Sequence, residues 1–316
     1  MGAWVCAGHG RDFRLWGSAL AGRRLAGVRE LVVQAPGALL AVRESRLEGE
    51  PLVLLHGGPG VPDSMQTTIA PLLPQMRHIS FDQRGTGSSR CTDGRYGIGA
   101  YLADMEAIRE DLGIWSWHVL GHSWGGLLAQ AYTAGHGDRV RSLVLSSSSL
   151  GVGSDWTLTK REAFRTSRRR AGLLGTVRLY GYGSGLGVPG RVRTWAMRHV
   201  MTETWHNYFP DARRAPDPDQ RWLAGCSAGA MIGTDRAVSR ADPAVLDGLS
   251  AYAGPVMVLY GAHDIFGTST GVVRRRFPQA VQVTLEDSGH LHWLQNRAGY
   301  RQALRQFYSA HLQSPV

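Results

Sequence analysis

Apolar residues recur along the chain in two spacings, and the switch between them predicts the elements. Pro51–Leu55 and His78–Phe81 are short, mostly apolar runs, as expected of strands covered on both faces, and Trp117–Leu120, Val140–Ser146, Pro255–Tyr260 and Val281–Leu285 read as further strands. From Ile98 to Leu112 the period changes. Tyr101, Met105, Ile108 and Leu112 follow at helical spacing with acids and Arg109 between them, which predicts an amphipathic crossover helix. A second helix is expected after Ser123, ending near Gly135 and Gly137. A last one, from about Leu294 to Leu312, carries Tyr300, Leu304, Phe307 and His311 on one face. Leu31–Gln34 and Leu39–Glu44, parted by Pro36-Gly37, read as an antiparallel edge hairpin. Strand, helix, strand, helix, strand in this order predicts an α/β fold with a mostly parallel, doubly wound sheet.

The pattern lapses in two places. Residues 1–29 show no period, and Gly8, Gly10, Gly17, Gly22 and Gly27 interrupt any helix, so an N-terminal extension outside the core is expected there. At Gly151 the strand-and-helix rhythm stops until Pro255. Residues 151–245 hold a basic amphipathic piece (Lys160–Arg170), a glycine-rich stretch (Leu173–Gly190) and then Trp195, Trp205, Tyr208, Phe209 and Trp222. This segment reads as a helical, loosely ordered cap between a first core part, 30–150, and a second, 246–316. Within it Gly185-x-Gly187-x-x-Gly190 has the spacing of a dinucleotide loop, but it is not expected to follow a strand or to open a helix, and it contains Pro189, so that reading is set aside.

Composition changes this picture little. Hydrophobic residues make up 43% of the 316 residues and charged ones 19%, ordinary for a globular protein with a sizeable core. Arg11, Asp12, Arg14, Arg23 and Arg24 leave no continuous apolar stretch before Gly27, and the three cysteines lack metal-ligand spacing, so a cytoplasmic protein is expected. The net charge of +10 is unevenly spread. Five arginines face one aspartate in residues 1–29, and fifteen basic residues face eight acids in 151–245, leaving the core near neutral. No recognisable nucleic-acid module accompanies that charge, and no run is long enough to span a membrane.

The candidate chemistry sits at the ends of the expected strands. Gly121-x-Ser123-x-Gly125 matches a strand–turn–helix elbow in which glycines flank a serine because the backbone passes too close to its neighbours for a Cβ. A serine hydroxyl is a poor nucleophile until a base takes its proton and an acid orients that base. Asp264 and His290 each follow the end of another expected strand, and the chain order Ser, Asp, His is that of the α/β-hydrolase fold. Ser123, Asp264 and His290 are therefore the expected catalytic residues. His292 is the nearest rival base. His122 and His263 read as packing or loop residues, and Asp287 lies too near His290 to orient it. The oxyanion hole is expected from the backbone amides of Trp124 and Gly58, the latter in His56-Gly57-Gly58-Pro59-Gly60. His56 is expected to support that loop from behind, and Asp82 to fix its own loop through Arg84. No metal or organic cofactor is called for.

His56-Gly57-Gly58-Pro59-Gly60, Asp82-Gln83-Arg84-Gly85-x-Gly87-x-Ser89 and Gly121-His122-Ser123-Trp124-Gly125-Gly126 together resemble the proline iminopeptidase family of α/β hydrolases, over about 50–150 and 255–312. The resemblance implies an α/β-hydrolase core with an inserted helical cap that removes an N-terminal residue, often proline, from small peptides or amides. It also implies the same oxyanion role for Trp124 and the glycine loop. In that family cap glutamates bind the substrate's amino group, one of them in a Glu-Asn-His-Tyr-Phe-like segment. Here the comparable stretch is Trp205-His206-Asn207-Tyr208-Phe209, with tryptophan at the acidic position, and Glu203 is the candidate substitute. Glu203, Trp205, Tyr208 and Trp222 are the candidate substrate-binding residues. A basic cap suits an ammonium group poorly. The alternatives are therefore an esterase, lactonase or thioesterase acting on a specialised metabolite or an acidic acyl-carrier protein, and a non-hydrolytic binding protein on the same fold. The expected partner is a small molecule or short peptide, with no nucleic acid and no membrane.

Overall fold

The computed structural model describes residues 27–45 and 48–312. The expected extension lies outside the described residues apart from its last three positions.

Nine strands form one sheet among the described residues. In chain order they are β1 (Val28–Ala35), β2 (Ala38–Ser45), β3 (Pro51–Leu55), β4 (Arg77–Phe81), β5 (Arg90–Cys91), β6 (Trp117–His122), β7 (Val140–Ser146), β8 (Val256–Gly261) and β9 (Val281–Leu285). The spatial order is β1-β2-β4-β3-β6-β7-β8-β9, with β5 paired to β2. Every pairing from β4 through β9 is parallel. The N-terminal hairpin is antiparallel, with β1 at the edge and β2 joining it to β4.

Period-two alternation divides the strands between two cores. Val53, Leu55, Val119, Leu143, Leu145 and Val258 point to one face, where helices α1 (Ile98–Asp111) and α2 (Trp124–Gly135) cover them with Met105, Ile108, Leu127 and Leu128. Leu52, Leu54, Leu120, Val144, Met257 and Leu259 point to the other, under Ile69, Leu73, Tyr300 and Leu304. Each such side chain stabilises the fold by about 1.5–3 kcal/mol on burial. Both faces are covered, which is why these strands read as unbroken apolar runs.

Between β7 and β8 the chain is helical: α3 (Ser154–Gly185), α4 (Arg191–Asn207), a short helix Gln220–Ala224, α5 (Ala228–Ser239) and a 3-10 stretch Pro243–Ala251. The glycine-rich stretch is helix as far as Gly185. Within α3 the helical backbone breaks at Gly172, whose φ of +65° is open to glycine at no steric cost, so α3 bends there and Phe164 meets Tyr180 across the bend at 5.6 Å between ring centres. Beyond the bend Leu173, Leu174, Val177 and Tyr180 are exposed. The C-terminal helix also starts later than its periodicity suggests: Asn296 caps α6 (Arg297–Ser309) by accepting the Gly299 amide. No helix among the described residues is long and apolar enough to cross a membrane.

Candidate active site

Ser123 joins β6 to α2 with φ +55°, a left-handed conformation rare outside glycine. Two close approaches hold it there. A Cβ on Gly121 would lie 2.2 Å from the Gly125 carbonyl oxygen, and one on Gly125 would lie 2.0 Å from that of Leu55. Only glycine fits at either position, so the spacing of the motif is a packing requirement. The turn leaves the hydroxyl at the carboxyl edge of the sheet, where loops after other strands can reach it.

Two of those loops do. His290 Nε2 stands 3.0 Å from Ser123 Oγ, and His290 Nδ1 stands 3.2 Å from Asp264 Oδ2. His290 is wholly buried, and Ser123 and Asp264 nearly so. Asp264 also accepts the Phe266 amide through Oδ1 and the Ser147 hydroxyl through Oδ2. Burial pushes this carboxyl up, but the attraction of His290 and these hydrogen bonds outweigh it and hold the group below the ordinary carboxylate value. The rival His292 is turned away from Ser123 and hydrogen-bonded to Ser147 and Ser288. His122 donates to the His290 carbonyl, which fixes the backbone of the loop carrying His290.

The Trp124 amide is the first of α2, where no carbonyl of its own helix can take it. Gly58 lines both cavities that open beside Ser123. The glycine loop is tied in from behind. His56 Nδ1 bonds the Gly57 carbonyl, its Nε2 accepts the Gln83 amide, and Gln83 Oε1 accepts the Trp124 indole. Gln83 was not singled out in the sequence, although it stands in one of the three motifs. The expected pairing of Asp82 with Arg84 is not formed. Asp82 takes Arg43 and the amides of Asp63 and Ser88, whereas Arg84 forks onto Asp104 of α1.

Two cavities meet at Ser123. One, of about 210 Å³, lies between the glycine loop and the inserted helices and is walled by Met65, Met201, Trp205, Tyr208, Trp222 and Trp293. The other, of about 340 Å³, runs toward Trp156, Lys160, Asp235 and Phe266. Of the candidate substrate-binding residues, Trp205, Tyr208 and Trp222 line the first cavity. Glu203 does not. Met201, Thr204, Trp205 and Tyr208 share the cavity-facing side at i, i+3, i+4 and i+7, which turns Glu203 toward α3, where Arg178 meets it at 3.4 Å.

The family model for the alpha/beta hydrolase fold matches residues 50–296. The chain belongs to that family. Within it, this α/β hydrolase is 39% identical to a proline iminopeptidase of Lactobacillus helveticus over 118 residues, 35% of this chain and 40% of the relative, so the match spans less than half the length of that relative. Among solved structures, the proline iminopeptidase of Mycobacterium smegmatis superposes with a TM-score of 0.64 at 21% identity, covering 90% of this chain and 98% of the other. A thermophilic esterase from Thermogutta terrifontis superposes with the same TM-score at 20% identity, covering 90% and 100%. At these identities the two structures share the hydrolase's fold and do not choose between amide and ester.

Proposed function

We propose that the protein is a serine hydrolase working through an acyl-enzyme on a small amide, peptide or ester. The observation that carries this reading is the continuous bonding of Ser123 to His290 and of His290 to Asp264 at the mouth of two cavities. In the mechanism, His290 Nε2 takes the Ser123 proton as Oγ attacks the substrate carbonyl carbon. The carbonyl oxygen gains the negative charge between the Trp124 and Gly58 amides. The bond to the leaving group breaks as His290 returns the proton to it, leaving an ester on Ser123. Water then repeats the sequence, giving up its proton to His290 and releasing the acid. Asp264 stays ionised throughout and steadies the imidazolium.

Local identity to proline iminopeptidases favours an amide or N-terminal peptide bond as substrate. The walls favour the second reading, a small ester or thioester. Among residues lining the first cavity none is a carboxylate. The one carboxylate lining the second, Asp235, already holds the Lys160 ammonium at 2.6 Å. A free amino group finds no unpaired acid in either space.

The test is a panel of p-nitrophenyl esters, thioesters and proline anilides beside Ser123→Ala. Wild type should turn over at least one class, and Ser123→Ala should lower that rate on the order of 10⁶-fold. Anilide turnover selects the peptidase reading, and ester turnover alone selects the second. Identical behaviour of wild type and Ser123→Ala on every class refutes both.

A further inference from the structure

Asp264 is held by more than His290. The Ser147 hydroxyl reaches its Oδ2 at 2.5 Å, and Ser147 Oγ lies 2.8 Å from His292 Nε2. His292 Nδ1 in turn lies 2.8 Å from Ser288 Oγ. Valence fixes the direction of each bond. An ionised carboxylate only accepts, so Ser147 gives it its single proton and offers His292 a lone pair. His292 therefore carries its hydrogen on Nε2, and its bare Nδ1 takes the Ser288 proton. Two arms converge on one carboxylate: Ser123 through His290, and Ser288 through His292 and Ser147. Ser147, Ser288, His290 and His292 are completely buried. Ser147 holds φ +46°, a strained backbone that persists only where its surroundings over-determine it.

We propose that Ser147 and His292 are positioning residues of the site: they hold the Asp264 carboxylate against His290 and set how strongly it stabilises the imidazolium formed when Ser123 loses its proton. This rests on the serine-hydrolase reading above. No proton passes along the second arm. Burial pushes His292 down to about 3, so it remains neutral and keeps its bond directions through the neutral pH range. The other titratable groups facing Asp264 are His290 and His122 beside it, Arg170 from α3, Tyr208 after α4 and Tyr260 on β8. Of these only His290 bonds the carboxylate.

Labelling by a fluorophosphonate reads the reactivity of Ser123 without knowledge of the substrate. The rate is measured against pH for wild type, Ser147→Ala, His292→Phe and His292→Gln, with thermal midpoints alongside. Without the Ser147 hydroxyl the carboxylate keeps more of its charge and favours the imidazolium, so the acid limb of the profile moves to higher pH. Loss of orientation lowers the plateau rate roughly 10- to 100-fold, as expected for one hydrogen bond to a charged group. His292→Phe moves both in the same direction. His292→Gln restores them, because its amide can donate to Ser147 and accept from Ser288. The proposal is overturned if folded Ser147→Ala keeps the wild-type plateau and acid limb, or if Phe and Gln at position 292 behave alike. Should Ser147→Ala fail to fold, the His292 pair decides. Wild type that takes no label, or labelling that survives Ser123→Ala, refutes the hydrolase reading itself and the positioning role with it.

Discussion

Arg84 is wholly buried, and the loop after β4 is arranged to satisfy its donors. Nε and Nη2 fork onto Asp104 at 2.8 and 2.7 Å, and the remaining hydrogens reach the carbonyls of Arg95, Ala100 and Pro36. Asp104→Asn would leave a buried guanidinium with only the longer contact to Asp93, 3.6 Å from Nη1, as counter-charge. The expected cost is about 3–5 kcal/mol, read as a lower urea midpoint, with circular dichroism reporting an intact fold. The motif places Arg84 but not its partner: Asp104 belongs to a crossover helix twenty residues on, and Asp82, two residues away, is the nearer acid by sequence alone. The hydrogen bonds of Ser147 and His292 were hidden for the same reason. Each sits among look-alikes, Ser147 in a run of four serines and His292 two residues from His290, and only the folded loops distinguish them. Ser123, Asp264 and His290 could be nominated from the sequence because each follows an expected strand, and the structure brings the three within hydrogen-bond reach.

At the scale of elements the strands were the most legible parts, since burial on both faces leaves an unbroken apolar run with sharp ends. The inserted helices were the least. Their apolar residues are shared between packing on the core, walling a cavity and open solvent, so no clean period survives, and glycine content alone reads as loop. The bend in α3 shows what one of those glycines does. Nothing lies within 4 Å of a Cβ placed on Gly172, so glycine is there for its backbone and not for space. With φ +65° and ψ −167° the position is nearly closed to other residues. Gly172→Ala should therefore cost about 1–3 kcal/mol through the backbone alone. A thermal melt should record a lower midpoint, while a Ser at neighbouring exposed Leu173 should leave it nearly unchanged.

For the molecule as a whole, buried histidines set the response to acid. Burial is the leading cause that pushes His78 down to about 4 and His292 down to about 3, and it also lowers His56, His118 and His122. Unfolding returns each to its ordinary 6.5. Between those values the unfolded chain binds more protons than the folded one, so stability must fall as pH falls. Their contribution is complete above about pH 6.5 and is lost progressively toward pH 4 and below. Urea midpoints should be level from pH 8 to 7 and then drop steeply through pH 6 and 5. His78→Phe should make that slope shallower, and an unchanged slope would show that His78 is not one of the groups responsible.

On the proposed acyl-enzyme reading, two cavities meeting at one serine give the halves of a cleaved molecule separate exits. The half released first does not have to pass the half still esterified to Ser123. One side therefore empties while the other stays filled, and the emptied side is where the next nucleophile enters. On that reading, what the emptied space admits decides whether the acyl group ends in water or on a new acceptor.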